Sequence, residues 1–220
     1  MKKIFLFIFY LLLGNAWGSG GEFILGRVTY NLDELNTRLK NHGFKSLNEA
    51  CNIIGGGGYY IYNEKILVGG HGGGFTQETE NATYTTIFSG GHGFFDIGYV
   101  FSKEKVRIIP IFGIGGGGVS LSITPKNIKS DFDDVLKDPR QEANLSAGNI
   151  LFNLGIMVNY LLRLGRDEKT KGGLLFTLRG GYMFSPSKSK WYLLDKEVSG
   201  SPKIDLSSPY IYLGIGGGSY

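Results

Sequence analysis

The stretch Asn149 to Leu164 constrains this chain most. Its even positions Ile150, Phe152, Leu154, Ile156, Val158, Tyr160, Leu162 and Leu164 are all apolar, whereas its odd positions include Asn149, Asn153, Gly155, Asn159 and Arg163. Successive side chains of a strand point to opposite faces, so one face is continuously apolar and the other polar or small. An ordinary strand is about five to six residues long, and this run is far longer. One long apolar face opposite a wet one suits a transmembrane β-barrel, where lipid covers the outside and polar groups line the interior.

The N-terminus supplies a compartment. Met1-Lys2-Lys3 is basic, Ile4 to Leu13 is apolar, and Ala16-Trp17-Gly18 reads as a small-x-small cleavage site. These are the parts of a secretory signal peptide, residues 1–18, with an apolar core too short to span as a helix. The alternative is an uncleaved anchor. Cys51 is the only cysteine, which excludes an intramolecular disulfide and leaves no lipoprotein-type cysteine at the cleavage site. Cleavage removes Lys2 and Lys3 and no acid, so a net charge of +4 becomes +2, too small a bias for nucleic-acid binding. The remaining chain, 19–220, is the size of one domain. No later segment reads as a spanning helix, because asparagine and glycine clusters interrupt every long apolar run.

Eight strands are expected, at about 22–30, 52–63, 65–75, 84–101, 106–124, 146–164, 172–184 and 210–220. The connections alternate in length. Residues 63–65, 102–105 and 165–171 are short, whereas 31–51, 125–145 and 185–209 are long and 76–83 is intermediate. Antiparallel pairing puts every second connection on the same side, so all short turns fall on one side and the longer loops on the other. Leu174, Phe176, Leu178, Tyr182 and Phe184 share a face, as do Ile87, Phe95, Ile97, Tyr99 and Phe101. Charge on the lipid face costs about 2–4 kcal/mol near mid-membrane for Arg or Lys. His92, Asp96, Arg163 and Arg179 are therefore assigned to the lumen, joined by His71, as a polar network.

Glycine clusters at 55–58, 72–74, 115–118 and 216–218 lack the Lys-Ser/Thr of a phosphate-binding loop and open no helix. In a narrow barrel they relieve crowding. One helix is expected at about 32–42, with Asn31 and Glu34 as a capping box, Leu32, Leu35 and Leu39 as its apolar stripe, and Gly43 as its stop. It reads as a lid on the barrel rim, or else as an interfacial or docking helix.

With its leader, eight strands, loop asymmetry and last strand, the chain resembles the small eight-stranded bacterial outer-membrane β-barrel proteins over Glu22 to Tyr220. The resemblance implies an up-and-down transmembrane barrel, outer-membrane lipid as surroundings, and the barrel-insertion machinery as a partner during biogenesis. It also implies a C-terminal insertion signal, carried here by Tyr220 with Tyr212 and Tyr210 at the same parity; Gly214, Gly216 and Gly218 stand where the family has larger apolar residues.

The expected role is structural or surface-interacting and non-catalytic, with a surface ligand or envelope protein as partner and no cofactor or metal. His92 and Asp96 share a face but lie about 13 Å apart at strand spacing, and Ser89 has the opposite parity to His92, so no nucleophile–base set is visible. His71 and His92 lack a third metal ligand. The acidic residues of loop 125–145 lack the spacing of a calcium loop. The alternatives are a narrow channel or binding barrel for a small hydrophobic molecule, a lipid-modifying enzyme, and a secreted soluble β-barrel. Strands 84–101, 106–124 and 146–164 exceed the roughly 9–11 residues that cross a bilayer, so their surplus projects as an external platform.

Overall fold

The structure is a computed structural model that describes residues 16–103, 105–127, 131–137, 142–163 and 172–219. Eight antiparallel strands form the wall: β1 (Ala16–Thr29), β2 (Ala50–Tyr62), β3 (Ile66–Glu80), β4 (Tyr84–Tyr99), β5 (Val106–Pro125), β6 (Ala143–Arg163), β7 (Gly172–Phe184) and β8 (Ser208–Ser219). Each pairs with the next, and β1 pairs with β8 from Ser19–Ser219 to Val28–Tyr210. The sheet therefore closes on itself, as expected from the strand count and loop asymmetry. A three-residue strand, Phe101–Lys103, continues β4 against β5.

Parity sorts the wall into two surfaces. Phe95, Ile97 and Tyr99 of β4, Ile150, Leu154 and Ile156 of β6, and Phe176, Leu178 and Tyr182 of β7 all point outward and are exposed. Their neighbours of opposite parity are buried. The turn between β2 and β3 is tight for a local reason. Asn63 and Glu64 adopt φ of 47° and 61°, and the Lys65 N–H donates to the Tyr62 carbonyl over 3.1 Å. Paired positive φ values give the turn a twist that matches a hairpin.

β5 and β6 are 20 and 21 residues long and stay paired from Val106–Tyr160 to Ile123–Ala143. They carry a short helix, α2 (Phe132–Lys137), beyond the wall. β1 starts at Ala16, earlier than the Glu22 expected, with Ala16 opposite Tyr62 and Gly18 opposite Ile61. The leader reading otherwise falls on residues 1–15, outside the described residues.

Helix α1 (Asp33–Asn41) forms where expected, but its cap differs. Leu32 is the N-cap and makes no side-chain cap bond; Asn31 Oδ1 instead accepts the Asp33 N–H at 3.2 Å. Glu34 turns to Arg38, one turn on, at 3.6 Å. Gly43 ends the helix at φ 79°, and the Phe44 N–H donates back to the Leu39 carbonyl, a left-handed stop that glycine adopts without a Cβ penalty. Leu32, Leu35 and Leu39 are buried in one cluster with Trp191, Ile204 and Leu206 of the 185–207 connection and with Ile24, Val28 and Phe88 of the wall. The helix is a lid.

Candidate functional site

The lumen is layered. Toward the long connections, the lid cluster fills it. Toward the short turns, Ile61, Leu67, Ile109, Met157, Leu161 and Leu175 form a second apolar cluster, each at most 2% exposed. A belt of polar side chains lies between.

Arg179 of β7 stands at its centre. Its Nη1 lies 3.2 Å from Asp96 Oδ2 and its Nη2 3.3 Å from Glu22 Oε1, with all three side chains at most 4% exposed. Asp96 also meets His71 Nδ1 at 2.5 Å, and Asn153 Nδ2 donates to its other oxygen at 3.5 Å. Register explains the His71–Asp96 pair. Asp96 faces Gly69 across the β3–β4 ladder, where no side chain intervenes, and His71 is the next inward residue of β3. Buried charges need such partners, since a lone ion in the interior costs several kcal/mol.

Glycine makes the room. A Cβ at Gly113, opposite Asp96 on β5, would stand 2.5 Å from Asp96 Oδ1. One at Gly214 would stand 2.6 Å from Glu22 Oε2. The inward glycines of β5 and β8 thus carve the places of the two carboxylates, a sharper role than the general relief of crowding.

A second polar group adjoins the first. His92 Nε2 and the Tyr212 hydroxyl share a 2.8 Å bond, and their rings are nearly parallel. Tyr210 stacks on Tyr212 with centroids 4.5 Å apart. Lower down, Asn159 Nδ2 donates to the Tyr59 hydroxyl at 2.7 Å and Thr177 Oγ1 to Asn159 Oδ1 at 3.1 Å. Within the belt, Glu22 Oε2, His71 Nε2, His92 Nδ1 and Arg179 Nε have no hydrogen-bond partner among the described protein atoms.

Of the five residues assigned to the lumen network, His71, Asp96 and Arg179 meet in one cluster and His92 lies beside it. Arg163 does not join. It sits at the last position of β6 opposite Gly173 and is exposed, because parity aims it inward only beyond the end of the filled lumen. His92 does not touch Asp96, in keeping with their strand spacing. Ser89 points outward and bonds Ser120 at 2.8 Å. Sequence reasoning missed Glu22, although the outward parity of Phe23 and Leu25 would have assigned it inward. Asn153 and Asn159 stand on the polar face read from the β6 pattern, and both are buried there, although the sequence reading does not name them as members of the network.

The last strand has the opposite parity to that expected. Tyr210 and Tyr212 are 5% and 2% exposed and face the lumen, whereas Ile211, Leu213 and Ile215 face outward. Tyr220 lies outside the described residues. Among the described residues, no group of three or more His, Cys, Asp or Glu side chains is arranged to hold a metal ion.

No family model matches the chain, and no curated protein matches it in sequence. Solved structures do. A major outer membrane protein from Thermus thermophilus aligns with TM-score 0.50 at 10% identity, over 91% of this chain and 98% of that one. Ail, the attachment invasion locus protein of Yersinia pestis, solved with the heparin analogue sucrose octasulfate, aligns with TM-score 0.48 at 12% identity, over 91% and 97%. At these identities the likeness is one of fold.

Proposed function

We propose that this chain, which has the fold of the small eight-stranded outer-membrane β-barrels, is an integral outer-membrane protein with a non-catalytic, structural or surface-interaction role. One observation carries the reading. An outer surface rich in exposed apolar side chains surrounds a lumen that side chains fill in three layers, with Arg179, Asp96 and Glu22 locked together in the middle one. Eight strands leave space for side chains and little else, and a lid packs over the long-connection end. Such a body presents its outer wall and its external loops, not a passage. The lumen network acts as the strut that holds the wall's register, and the barrel-insertion machinery delivers the chain.

The test is envelope fractionation followed by a denaturing gel run with and without boiling. A detergent-extracted outer-membrane protein whose mobility shifts on boiling is expected, with no steady conductance in planar bilayers. A freely soluble protein without a shift would refute the membrane reading, and a stable conductance step would refute the closed lumen.

A further inference from the structure

The β2–β3 ladder stops early. Its last pair on the long-connection side is Ile54–Gly74, yet β2 runs on to Ala50 along β1, and β3 runs on to Glu80 along β4. Above that pair the two strands part, and one side chain spans the split. Gln77 Oε1 accepts the Asn48 N–H and Gln77 Nε2 donates to the Asn48 carbonyl, each at 2.8 Å. At the foot of the split lies a groove of about 730 Å³, lined by Asn52, Ile54, Gly74, Phe75, Thr76 and Ser89. Ligand pockets span roughly 300–1,000 Å³.

Its depth in the wall says what it meets. Ile54 lies about 20 Å along β2 from exposed Tyr60, at roughly 3.3 Å per residue. A tilted strand of that length reaches the far part of a lipid-facing band about 25 Å tall. Hydrocarbon tolerates no open sheet edge, so the split belongs at the polar boundary, with the groove just beneath it. The floor below is bare, for Gly70, Gly72 and Gly74 of β3 face outward beside Gly56 and Gly58 of β2. The rim carries a cation. Arg27 of β1 is exposed on the same outer face, pairs with Asn52 in register, and donates from Nε to Asn52 Oδ1 at 3.4 Å. Glu78 stands on β3, further out than Thr76.

We infer that this groove seats one acyl chain of a phosphate-bearing membrane lipid from the leaflet on the long-connection side, with Arg27 at its phosphate. The groove is continuous with the lipid-covered wall, its apolar floor accepts a chain, and the guanidinium at the boundary suits an anionic head. The inference rests on the outer-membrane reading.

The experiment uses the full chain in phosphatidylcholine nanodiscs doped with phosphatidylglycerol that carries a diazirine on one acyl chain. Crosslinks are mapped by mass spectrometry. The outer hollow lined by Phe23, Leu25, Leu213 and Ile215 serves as the internal reference. Labelling at 52–54 and 74–76 should exceed the reference about tenfold, an occupancy difference of about 1.4 kcal/mol. Thr76→Trp, or Ser89→Phe at its register partner on β4, should fill the groove and bring labelling down to the reference. Arg27→Gln should lower it without abolishing it. Equal labelling around the barrel, in nanodisc-inserted protein that shifts on boiling, would overturn the groove alone. A chain that neither inserts nor shifts would overturn the membrane reading and the groove with it.

Discussion

Asp96 and Arg179, 83 residues apart in sequence, meet at 3.2 Å inside the barrel, and the same guanidinium holds Glu22 of the first strand. A single side chain of β7 therefore ties β1 to β4 across the lumen.

Replacing Arg179 by Met should strip buried Glu22 of its cation and leave Asp96 with only His71 and Asn153, destabilising the fold by about 3–5 kcal/mol. Urea unfolding in liposomes would show the loss as an earlier midpoint. The triple change Glu22→Gln, Asp96→Asn, Arg179→Met should recover much of it, because no uncompensated ion remains. An Arg179→Met protein as stable as the wild type would show that the network contributes nothing to holding the wall.

Two adjacent glycines of β5 should behave oppositely. A Cβ at inward Gly115 would press into the backbone of β4, with Phe94 Cα at 2.9 Å, whereas one at outward Gly116 finds its nearest neighbour, the Asn149 carbonyl, at 3.5 Å. Gly115→Ala should cost about 1–3 kcal/mol by overpacking. Gly116→Ala should be neutral or stabilise by roughly 0.4–1 kcal/mol through the unfolded chain. The heat-modifiable fraction recovered on refolding would rank the two.

The lid should open without the wall. Trp191 is 1% exposed at the centre of the lid cluster, and Trp191→Ala should cost about 3–5 kcal/mol of local packing. The eight-strand ladder does not pass through Trp191. Limited proteolysis should then cut within 185–207, while the barrel core stays resistant and still shifts on boiling.

Alkali should loosen the same lid. Burial holds the Tyr30 hydroxyl, just past β1, well above the ordinary tyrosine value of about 10, with Cys51 adding to the effect. The folded state keeps this proton more tightly than the unfolded state does. The associated stability is fully present below about pH 10 and is lost as pH rises beyond it. Protease sensitivity of 185–207 should increase above that pH, and Tyr30→Phe should blunt the increase.

The strands most legible in the sequence are those with lipid on one side and polar groups on the other, β6 and β7 above all. Legibility fails where that contrast fails. β3 continues through Thr76, Gln77, Glu78, Thr79 and Glu80, where neither face is apolar, so its outer part reads as a loop. β5 is apolar or glycine on both faces, and only the ladder reveals which glycines face inward. The lumen charges are readable as inward by parity, but their partnership is not. Which of His71, His92, Asp96, Arg163 and Arg179 meet depends on register and on the side-chain-free positions Gly69 and Gly113. Arg163 shows the limit of parity, since direction alone does not say whether a residue lies within the lumen or past its end. Tyr210 and Tyr212 show another limit, because aromatic residues suit both a lipid belt and a lumen.

The seam between β1 and β8 joins residues 200 positions apart, with Ser19 and Ser219 hydroxyls 3.4 Å from one another. No earlier ladder can substitute for it, so the wall stays an open sheet with two raw edges until the last strand arrives. Such edges pair readily with foreign strands, and contacts this remote in sequence form slowly. Closure thus waits for the last strand of the wall. A chain stalled short of Ser208 would be a sticky ribbon, not a smaller barrel.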